Sequence, residues 1–550
     1  MSSRPASLLA LVLALGGCAV AVGGGPGEDE DPAAAFSPIG RQVVRALRAG
    51  HDDHRGETWD LGEHDTLDPG WLIQTPPREH WDRPLAELPV ARPCTGGPGC
   101  DPELGLVACT TQADCTHGGT CTRVRATVTA PGEAARSLCV GHSDALVDRI
   151  YDLIASAEDL VDVSSLTPPD GRFEVAIRNA LAFLSRSGRS VRVRYLYGVI
   201  PGAALAGQSP EPHDVLARLV RDLAPTSQLR VTVAAYRAGL ESWDHAKVIA
   251  VDHRVAIVGG HNLLTRHYLQ AAPAYDLSMQ VTGSAAAHAT RFTDLLWRFA
   301  CRSPGDLVSV AEVATFPDAG TRCEAVFAHA PTPVVTGATR IISVGRLGTI
   351  GDDAADDALV ALVDAAQTTL RISQQDIGGI GHQWPEPVVR SLIGAVVRGV
   401  DVELVISNID AYPDRLTGGS ASYSNGWTPG DVVHELARYA RAHPELVPAG
   451  MDVAARLCEK LHAASLRHGA DDAWPDGAKF ANHAKLIVAD DAAFYLGSQN
   501  LYPSNLSEYG YIVDDPVATR QLVDEYFAEL WSGSQRTSAS GADVTCVLTR

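Results

Sequence analysis

Two stretches of this chain carry the same reactive side chains in the same order. Each has a histidine, a lysine two positions later, an aspartate five positions after the lysine, and an asparagine ten positions after the aspartate. Corresponding residues are 238 positions apart throughout, as 483 minus 245 and 500 minus 262 show. They are His245, Lys247, Asp252 and Asn262 in the first stretch, and His483, Lys485, Asp490 and Asn500 in the second. A gapless repeat of this kind indicates a duplicated functional unit.

The apolar runs inside both stretches predict short buried strands, which set the direction of the reactive side chains. Alternate residues of a strand share a face, so His245 points with Lys247, and His483 points with Lys485. Two imidazoles, two ammonium groups and two amides suit the chemistry of a phosphodiester. One histidine can attack phosphorus while the other protonates the leaving oxygen, and the lysines and asparagines can hold the charge on the phosphoryl oxygens.

The lysines of the repeat are informative because the whole chain contains only four lysines. Two of the four, Lys247 and Lys485, occupy equivalent positions. A solvated strand end would explain one histidine–lysine pair, but it does not explain two in register. A metal site is also disfavoured, because a lysine ammonium has no lone pair to donate and replaces the charge of a metal instead. We therefore predict no metal and no cofactor.

Small residues precede the asparagine in each stretch. They are Gly259 and Gly260 in the first copy, and Gly497 and Ser498 in the second. Because glycine lacks a Cβ atom, these positions predict a close approach between the backbone and a ligand. The two motif aspartates, Asp252 and Asp490, lie in turns beyond their strands and are predicted to be structural.

The paired histidine–lysine–aspartate pattern, followed by Gly-Gly or Gly-Ser and asparagine, resembles the phospholipase D superfamily. Other segments are similar to the secreted actinomycete-type members, and the similarity extends over nearly all of the chain from about residue 41. Those segments are 70–76, 161–166, 372–376, 494–503 and 509–513. The resemblance implies an α/β fold of two similar sandwich halves, related by a pseudo-twofold axis, with the active site at their interface. Alternating helix and strand patterns from residue 143 onwards also predict an α/β fold.

The resemblance implies an activity as well. It is the hydrolysis of phosphatidylcholine-like phospholipids to phosphatidic acid and free headgroup through a covalent phosphohistidine, with His245 as nucleophile and His483 as general acid and later base. Another alcohol should compete with water for the intermediate, which gives transphosphatidylation. The expected partner is a phospholipid at a membrane or micelle surface, and the expected state is a monomer. Two alternatives remain: another phosphodiesterase or nuclease of the superfamily, and a lipid-binding lipoprotein with an inactive site.

A carboxylate follows each motif. In the resembled enzymes such a carboxylate bonds the far nitrogen of a catalytic histidine, which fixes its tautomer and stabilises the imidazolium. Asp276 and Glu508 are the implied residues, with Glu508 expected to contact His483. The actinomycete-type enzymes have aspartate where this chain has Glu508. Tyr423, in a loop over 407–430, stands where the family places an aromatic residue beside the headgroup pocket, and it is the predicted substrate-binding residue.

The N-terminal sequence predicts export. Its apolar run is typical of a signal peptide and too short to span a membrane. The segment Leu15-Gly-Gly-Cys18 resembles a lipoprotein cleavage site, which would anchor Cys18 to the outer surface or outer membrane, whereas cleavage after Ala21 would give a secreted protein. The predicted segments are a signal peptide (1–17), a lipoprotein tether (18–40), the N-terminal part of the first half (41–90), a cysteine-rich insert (91–141), the first half (142–304), a crossover (305–350), the second half (351–534) and a C-terminal tail (535–550).

Ten cysteines remain besides Cys18, an even number that predicts disulfides in an exported chain. Six of them lie in the insert, which is too small for a core and is predicted to hold three bridges. Zinc is the alternative there, disfavoured by export and by the absence of Cys-x-x-Cys spacings. The other four divide into Cys301 with Cys323 and Cys458 with Cys546, at places similar to cysteines of the resembled family.

The composition bears on the choice of partner. The formal net charge is −21, from 45 basic and 66 acidic residues. Nucleic-acid binding depends on contacts between basic side chains and backbone phosphates, so an acidic surface opposes it. The charge therefore disfavours the nuclease alternative, and no nucleic-acid partner is predicted.

Overall fold

The structure is a computed structural model that describes residues 31–91, 93–116, 118–200, 209–238, 242–302, 307–309, 337–379, 383–411 and 423–539. The helices of these residues are α1 (Pro38–His51), α2 (Ala145–Ala155), α3 (Gly171–Arg186), α4 (Pro212–Val220), α5 (Thr265–Tyr268), α6 (Ser284–Ala300), α7 (Ala354–Ala365), α8 (Glu386–Arg398), α9 (Pro429–Ala442), α10 (Val453–Lys460), α11 (Pro516–Leu522) and α12 (Ala528–Ser534). The strands are β1 (Trp59–Asp65), β2 (Leu72–Thr75), β3 (Thr120–Val124), β4 (Arg136–Val140), β5 (Leu160–Ser165), β6 (Arg192–Gly198), β7 (Arg230–Ala238), β8 (Ser242–Trp243), β9 (Val248–Val251), β10 (Val255–Gly259), β11 (Asp276–Thr282), β12 (Leu307–Ser309), β13 (Thr339–Arg346), β14 (Thr369–Ser373), β15 (Asp401–Ile406), β16 (Leu461–Ser465), β17 (Leu486–Ala489), β18 (Ala493–Gly497) and β19 (Glu508–Val513).

Two mixed sheets form the body of the molecule. The first has the strand order β12-β7-β6-β5-β9-β10-β11-β2, and the second has the order β1-β13-β19-β18-β17-β14-β15-β16. In each sheet three neighbouring strands run parallel, β5 to β7 in the first and β14 to β16 in the second. A hairpin then joins them in antiparallel fashion, β9–β10 in the first sheet and β17–β18 in the second. The same order in both sheets confirms the predicted duplicated α/β unit.

The two sheets face each other, and α6 packs against strands of both. Buried side chains of both sheets, including Val248 and Leu486, form one central apolar cluster. Two further clusters lie on the outer faces, one under α2 and α3 and the other under α7, α8 and α9. The motif strands are covered on both sides, which explains why β9 and β17 are apolar at every position.

The assignment of segment 41–90 to the first half is corrected by the strand pairing. Strand β1 pairs with β13 in the second sheet, and α1 packs on α7, whereas only β2 pairs with β11 in the first sheet. An apolar stripe on α1, formed by Val43, Val44 and Leu47, is buried in the outer cluster of the second half. The crossover segment 305–350 is divided likewise, with β12 in the first sheet and β13 in the second.

The predicted tether, 18–40, ends earlier than expected. The predicted signal peptide and Cys18 lie outside the described residues, but Ala33 and Phe36 are buried against the second half, and Ser37 caps α1. These apolar side chains dock the chain before the helix begins. Within the described part of the chain, every helix is too short or too polar to serve as a membrane span.

Three disulfides hold the cysteine-rich insert together. They are Cys94–Cys100, Cys109–Cys121 and Cys115–Cys139. The last two tie the β3–β4 hairpin to the loop before it, and the three predicted bridges are confirmed. Cys458 also takes part in a disulfide. Cys323 and Cys546, the predicted partners of Cys301 and Cys458, lie outside the described residues.

Candidate active site

A tight hairpin carries each motif. Three residues connect the two strands of each hairpin. The first two of them have φ between 49° and 57°, which gives a turn whose twist matches that of the flanking strands. The first turn residue is the motif aspartate. The carboxylate of Asp252 accepts from the backbone N–H groups of residues 158–160, and that of Asp490 accepts from those of 367–369, all at 2.8–3.0 Å. Both aspartates therefore hold their hairpins against β5 and β14.

The motif segments meet across the interface between the halves. The backbone N–H of His245 donates to the carbonyl of Ser507 at 2.9 Å, and the N–H of His483 donates to the carbonyl of Tyr275 at 2.7 Å. Each acceptor directly precedes the predicted carboxylate residue of the opposite half. The backbone therefore brings to each histidine the carboxylate of the other half.

Both motif histidines use Nδ1 to bond a carboxylate. Nδ1 of His245 lies 2.9 Å from Oε2 of Glu508, and Nδ1 of His483 lies 2.7 Å from Oδ2 of Asp276. The prediction that Glu508 contacts His483 is wrong, because each carboxylate crosses the interface to the histidine of the other half. A carboxylate at Nδ1 keeps the proton on that nitrogen, which leaves the lone pair of Nε2 for chemistry.

The two carboxylates are held differently. Oε2 of Glu508 accepts from the hydroxyl of Ser498 at 2.5 Å, and Oε1 lies 3.5 Å from the guanidinium of Arg346. Oδ2 of Asp276 accepts from the hydroxyl of Tyr268 at 2.7 Å. Burial opposes ionisation of Glu508, but the neighbouring imidazole and guanidinium hold its pKa below the usual value, whereas burial raises the pKa of Asp276. Glu508 is therefore the more firmly ionised of the two.

The glycines of the motifs make room for the neighbouring strand. A Cβ atom on Gly260 would lie 2.0 Å from Oδ1 of Asp276, and one on Gly259 would lie 2.3 Å from Cα of Ser278. A Cβ on Gly497 would meet the backbone of β19 at 2.6 Å. These glycines thus allow close packing against the strands that carry the two carboxylates, and their approach to a ligand stays a prediction.

Both motif lysines are buried within the site. Each Nζ donates to the carbonyl oxygen of its own motif histidine at 2.5 Å. Burial lowers the pKa of Lys247 to about 8 and that of Lys485 to about 7. Both ammonium groups therefore titrate close to neutral pH, and an anion between them would favour their charged forms.

Burial also keeps both motif imidazoles neutral. It lowers the pKa of His245 to about 4, with Glu508 opposing the shift and the ammonium of Lys247 adding to it. The pKa of His483 lies well below its usual value because of burial and the charges of Lys485 and Lys247. A neutral imidazole whose Nδ1 proton is held by a carboxylate has a nucleophilic Nε2 at neutral pH.

Tyrosines connect the motif asparagines to this centre. The hydroxyl of Tyr423 accepts from Nδ2 of Asn262 at 3.3 Å, and its ring stacks on His483 with the centroids 4.3 Å apart. On the other side, Nδ2 of Asn500 donates to the hydroxyl of Tyr502 at 2.9 Å. Oδ1 of both asparagines is buried and has no hydrogen-bond partner within the described residues. The site thus contains every predicted catalytic residue, together with Tyr423.

Three further residues contact these groups and were not predicted from the sequence: Tyr268, Arg346 and Tyr502. Neither tyrosine has an equivalent in the other repeat, so the duplication that identifies the motifs gives no signal for them. Arg346 is opposite Glu508 in the register of β13 and β19. The pairing of those two strands is a long-range feature, and nothing in the local sequence around Arg346 indicates it.

Comparison with known proteins identifies the family. The chain is 31% identical over 444 residues to the phospholipase D of Streptomyces antibioticus, and the match covers 72% of this chain and 78% of that protein. The chain belongs to the phospholipase D family. A family model described as "Cardiolipin synthase, PLD-like domain" matches residues 359–531 of this chain, a range that includes the second motif. The resemblance predicted from the two motifs is confirmed.

Two solved structures align with this phospholipase D family chain. The phosphatidylserine synthase of Haemophilus influenzae is 13% identical, with a TM-score of 0.48 over 71% of this chain and 84% of its own. Nuc of Salmonella typhimurium, described as a phospholipase D family member, is 16% identical, with a TM-score of 0.22 over 36% of this chain and 99% of its own.

Proposed function

We propose that this protein hydrolyses phosphatidylcholine-like phospholipids to phosphatidic acid and free headgroup, and that it also transfers the phosphatidyl group to alcohols. The reciprocal crossing of the two histidine–carboxylate pairs carries this proposal. It supplies two imidazoles from opposite halves, each with Nδ1 occupied and Nε2 left for a substrate, beside two buried ammonium groups. Such a pair can attack and protonate a single phosphodiester. The similarity to a phospholipase D over most of the chain supports the same activity.

In the first step, Nε2 of His245 attacks phosphorus and a P–N bond forms. Nε2 of His483 donates its proton to the headgroup oxygen as the P–O bond breaks. The firmly ionised Glu508 stabilises the positive charge that develops on His245, and this supports the choice of His245 as nucleophile. Lys247 and Lys485 stabilise the negative charge on the phosphoryl oxygens.

In the second step, His483 acts as a base. It takes a proton from water or from an alcohol, whose oxygen attacks phosphorus as the P–N bond to His245 breaks. Because the lysine charges depress the pKa of His483, an anionic phosphodiester that offsets those charges should raise it. We therefore expect His483 to take up its catalytic proton as the substrate binds.

Hydrolysis of another phosphodiester, including DNA, is the alternative function. The similar proteins are named as synthases as well as a phospholipase D. A synthase transfers the phosphatidyl group and a phospholipase D hydrolyses it, so we propose both reactions for this protein. The net charge of −21 favours lipid over nucleic acid.

The three disulfides indicate an extracellular protein, because such bonds persist in oxidising compartments. We further propose that Cys18 is lipidated and that the enzyme acts as a monomer on phospholipid surfaces. The cleavage-site pattern Leu15-Gly-Gly-Cys18 supports the lipid anchor. The mass of the mature N-terminal peptide tests it, because cleavage after Ala21 leaves a peptide without Cys18.

A side-by-side assay tests the activity. Purified protein is offered short-chain phosphatidylcholine and supercoiled plasmid DNA, each with and without exhaustive chelation. We expect choline release, formation of phosphatidylethanol when ethanol is added, intact plasmid, and the same turnover under chelation, because Lys247 and Lys485 supply the positive charge. Nicked plasmid without choline release would select the nuclease alternative. Turnover lost under chelation and restored by added metal would contradict the metal-free mechanism.

The pH dependence of catalysis should depend on the buried lysines. Because the pKa of Lys485 is about 7 and that of Lys247 about 8, both lose their charge as the pH rises through this range. We expect kcat/KM, which reports the free enzyme, to fall above about pH 7. The variant Lys485→Arg keeps its charge and should move the fall to higher pH, even though its maximal rate drops. Lys479→Arg, at an exposed ion pair, is the matched control, and an identical pH profile for all three proteins would exclude Lys485 as the titrating group.

A further inference from the structure

His267 is a buried histidine beside the site that the two chemical steps proposed above do not use. It lies on α5, which follows the first motif and is held at both ends by the start of α3. The backbone N–H of Thr265 donates to the carboxylate of Asp170 at 2.5 Å, and the guanidinium of Arg172 donates to the carbonyl of Leu269. These contacts fix the backbone that carries His267, which is only 3% exposed.

The tautomer of His267 follows from its two partners. Nε2 lies 3.3 Å from Nε of Arg266, and a guanidinium can only donate, so Nε2 is the acceptor in this hydrogen bond. Burial and the charge of Arg266 lower the pKa of His267 to about 3, so the ring is neutral and has one N–H. That proton is therefore on Nδ1, which donates to the hydroxyl oxygen of Tyr423 at 2.5 Å.

The hydroxyl oxygen of Tyr423 is held by two donors of the first half. Nδ1 of His267 is one, and Nδ2 of Asn262, at 3.3 Å, is the other. Tyr423 itself belongs to the second half, where its backbone N–H donates to the carbonyl of Ala411 at 2.9 Å. The phenol is therefore fixed at its oxygen by one half and at its backbone by the other.

The ring that is held in this way covers one face of the imidazole of His483. The two ring centroids are 4.3 Å apart, and the ring planes are 20° from parallel. Asp276 bonds the same imidazole at its edge, through Nδ1. An aromatic face attracts a cation, most strongly where water is excluded, so Tyr423 stabilises the imidazolium form of His483 relative to the neutral form.

His483 depends on such support more than His245 does. Burial and the charges of both motif lysines hold the pKa of His483 well below its usual value, and burial raises the pKa of Asp276, which makes its carboxylate the weaker partner. His245 has instead the firmly ionised Glu508. The proposed general acid must nevertheless hold a proton before the headgroup leaves.

We propose that His267 is a positioning residue for the general acid. By donating to Tyr423 it keeps the phenol ring on the face of His483, and it favours the protonated form of His483 in the first step. The inference rests on the proposed function, in which His483 protonates the leaving oxygen. Because His267 acts only through Tyr423, its effect should be confined to reactions that need this proton.

The variant His267→Leu removes the donor and leaves an apolar side chain of similar size in a buried position. We expect kcat for choline release from short-chain phosphatidylcholine to fall about fivefold to tenfold, the contribution typical of one hydrogen bond. Hydrolysis of a p-nitrophenyl phosphodiester should stay within about twofold of the wild-type rate, because its leaving group departs without a proton. His267→Asn should restore choline release, since Nδ2 of asparagine can donate from the place of Nδ1.

His288→Leu is the matched control. His288 is also buried, and its Nδ1 lies 2.9 Å from the hydroxyl oxygen of a tyrosine, Tyr509. Its replacement should lower the melting temperature by a similar amount. Tyr509 follows Glu508 on β19, on the side of the nucleophile, so any effect on catalysis should be the same for both substrates. The ratio of the two rates should therefore change in His267→Leu and not in His288→Leu.

A second variant covers the case in which His267→Leu does not fold. Tyr423→Phe keeps the ring and removes the hydroxyl oxygen, so it should show the same dependence on the leaving group. Where His267→Leu folds, the double variant with Tyr423→Phe should be no slower than Tyr423→Phe alone, because both substitutions remove the same hydrogen bond.

Three results with His267→Leu would overturn the positioning role and leave the proposed function intact. They are an unchanged ratio of the two rates, a changed ratio that His267→Asn does not restore, and additive losses in the double variant. If His267→Leu does not fold, an unchanged ratio for Tyr423→Phe would overturn the role in the same way. Absence of headgroup release by folded wild-type protein would instead refute the proposed function.

Discussion

Replacement of His245 by alanine is expected to abolish headgroup hydrolysis and alcohol transfer together, with a loss of at least about 10⁴-fold in kcat. Both reactions pass through the same P–N bond to Nε2 of this residue, so neither water nor an alcohol can bypass the change. The variant should remain folded, because the imidazole is a single side chain at the interface and the backbone contact to Ser507 is retained. Thermal unfolding of the variant checks that condition.

The covalent intermediate provides a direct observation of the nucleophile. Wild-type enzyme mixed with labelled phospholipid and quenched within one turnover should carry the label on His245, in a form that is lost in acid and retained in alkali. Peptide mapping by mass spectrometry locates it. His468, a buried histidine that bonds the hydroxyl of Tyr275, serves as an internal control and should remain unlabelled. Label on His483 with none on His245 would reverse the assignment of the two roles.

The polar groups of the two motifs could be predicted from the sequence because their arrangement is local. Strand periodicity places His245 and Lys247 on one face, and the same spacing at His483 and Lys485 shows that the unit is duplicated. The structure places both pairs in one buried site. The structural role of Asp252 could also be predicted, since a turn aspartate has backbone N–H groups within reach.

The crossed carboxylates could not be predicted, because their partners depend on how the halves face each other. The resemblance implies that Glu508, which follows the second motif, contacts His483. The backbone hydrogen bond from His245 to Ser507 instead brings Glu508 to His245. Its two residues are 262 positions apart in the chain, so no local pattern in the sequence indicates it. The side chain of Glu508, one methylene longer than the aspartate of the actinomycete-type enzymes, therefore contacts His245. Arg346 and Ser498 also hold its carboxylate.

The division of the N-terminal segment has a similar cause. The helical periodicity of α1 predicts an amphipathic helix, but it does not indicate which sheet receives the apolar face. Strand β1 pairs with β13, which lies on the far side of the crossover segment. This pairing carries residues before the first motif into the second half. The same sheet edge brings Arg346 opposite Glu508, so the architecture of the N-terminal segment and the environment of His245 are linked.

Replacement of His483 by alanine is expected to slow the first step on choline or ethanolamine lipids by about 10²–10⁴-fold, the usual contribution of a general acid. The loss should shrink on a p-nitrophenyl phosphodiester, because that leaving group departs without a proton. Burst kinetics on the two substrates measure the difference. An equal loss on both would show that His483 does not protonate the leaving oxygen.

The crossed pairing extends this test to the carboxylates. Asp276 contacts His483, so Asp276→Asn should reproduce the leaving-group dependence of His483→Ala at a smaller magnitude. Glu508 contacts His245, so Glu508→Gln should slow both substrates by similar factors, since attack on phosphorus is needed for each. The two substitutions are matched in charge and in burial. If Glu508→Gln were the variant with the leaving-group dependence, His483 would be the nucleophile and His245 the acid, because each carboxylate acts through the imidazole that it bonds.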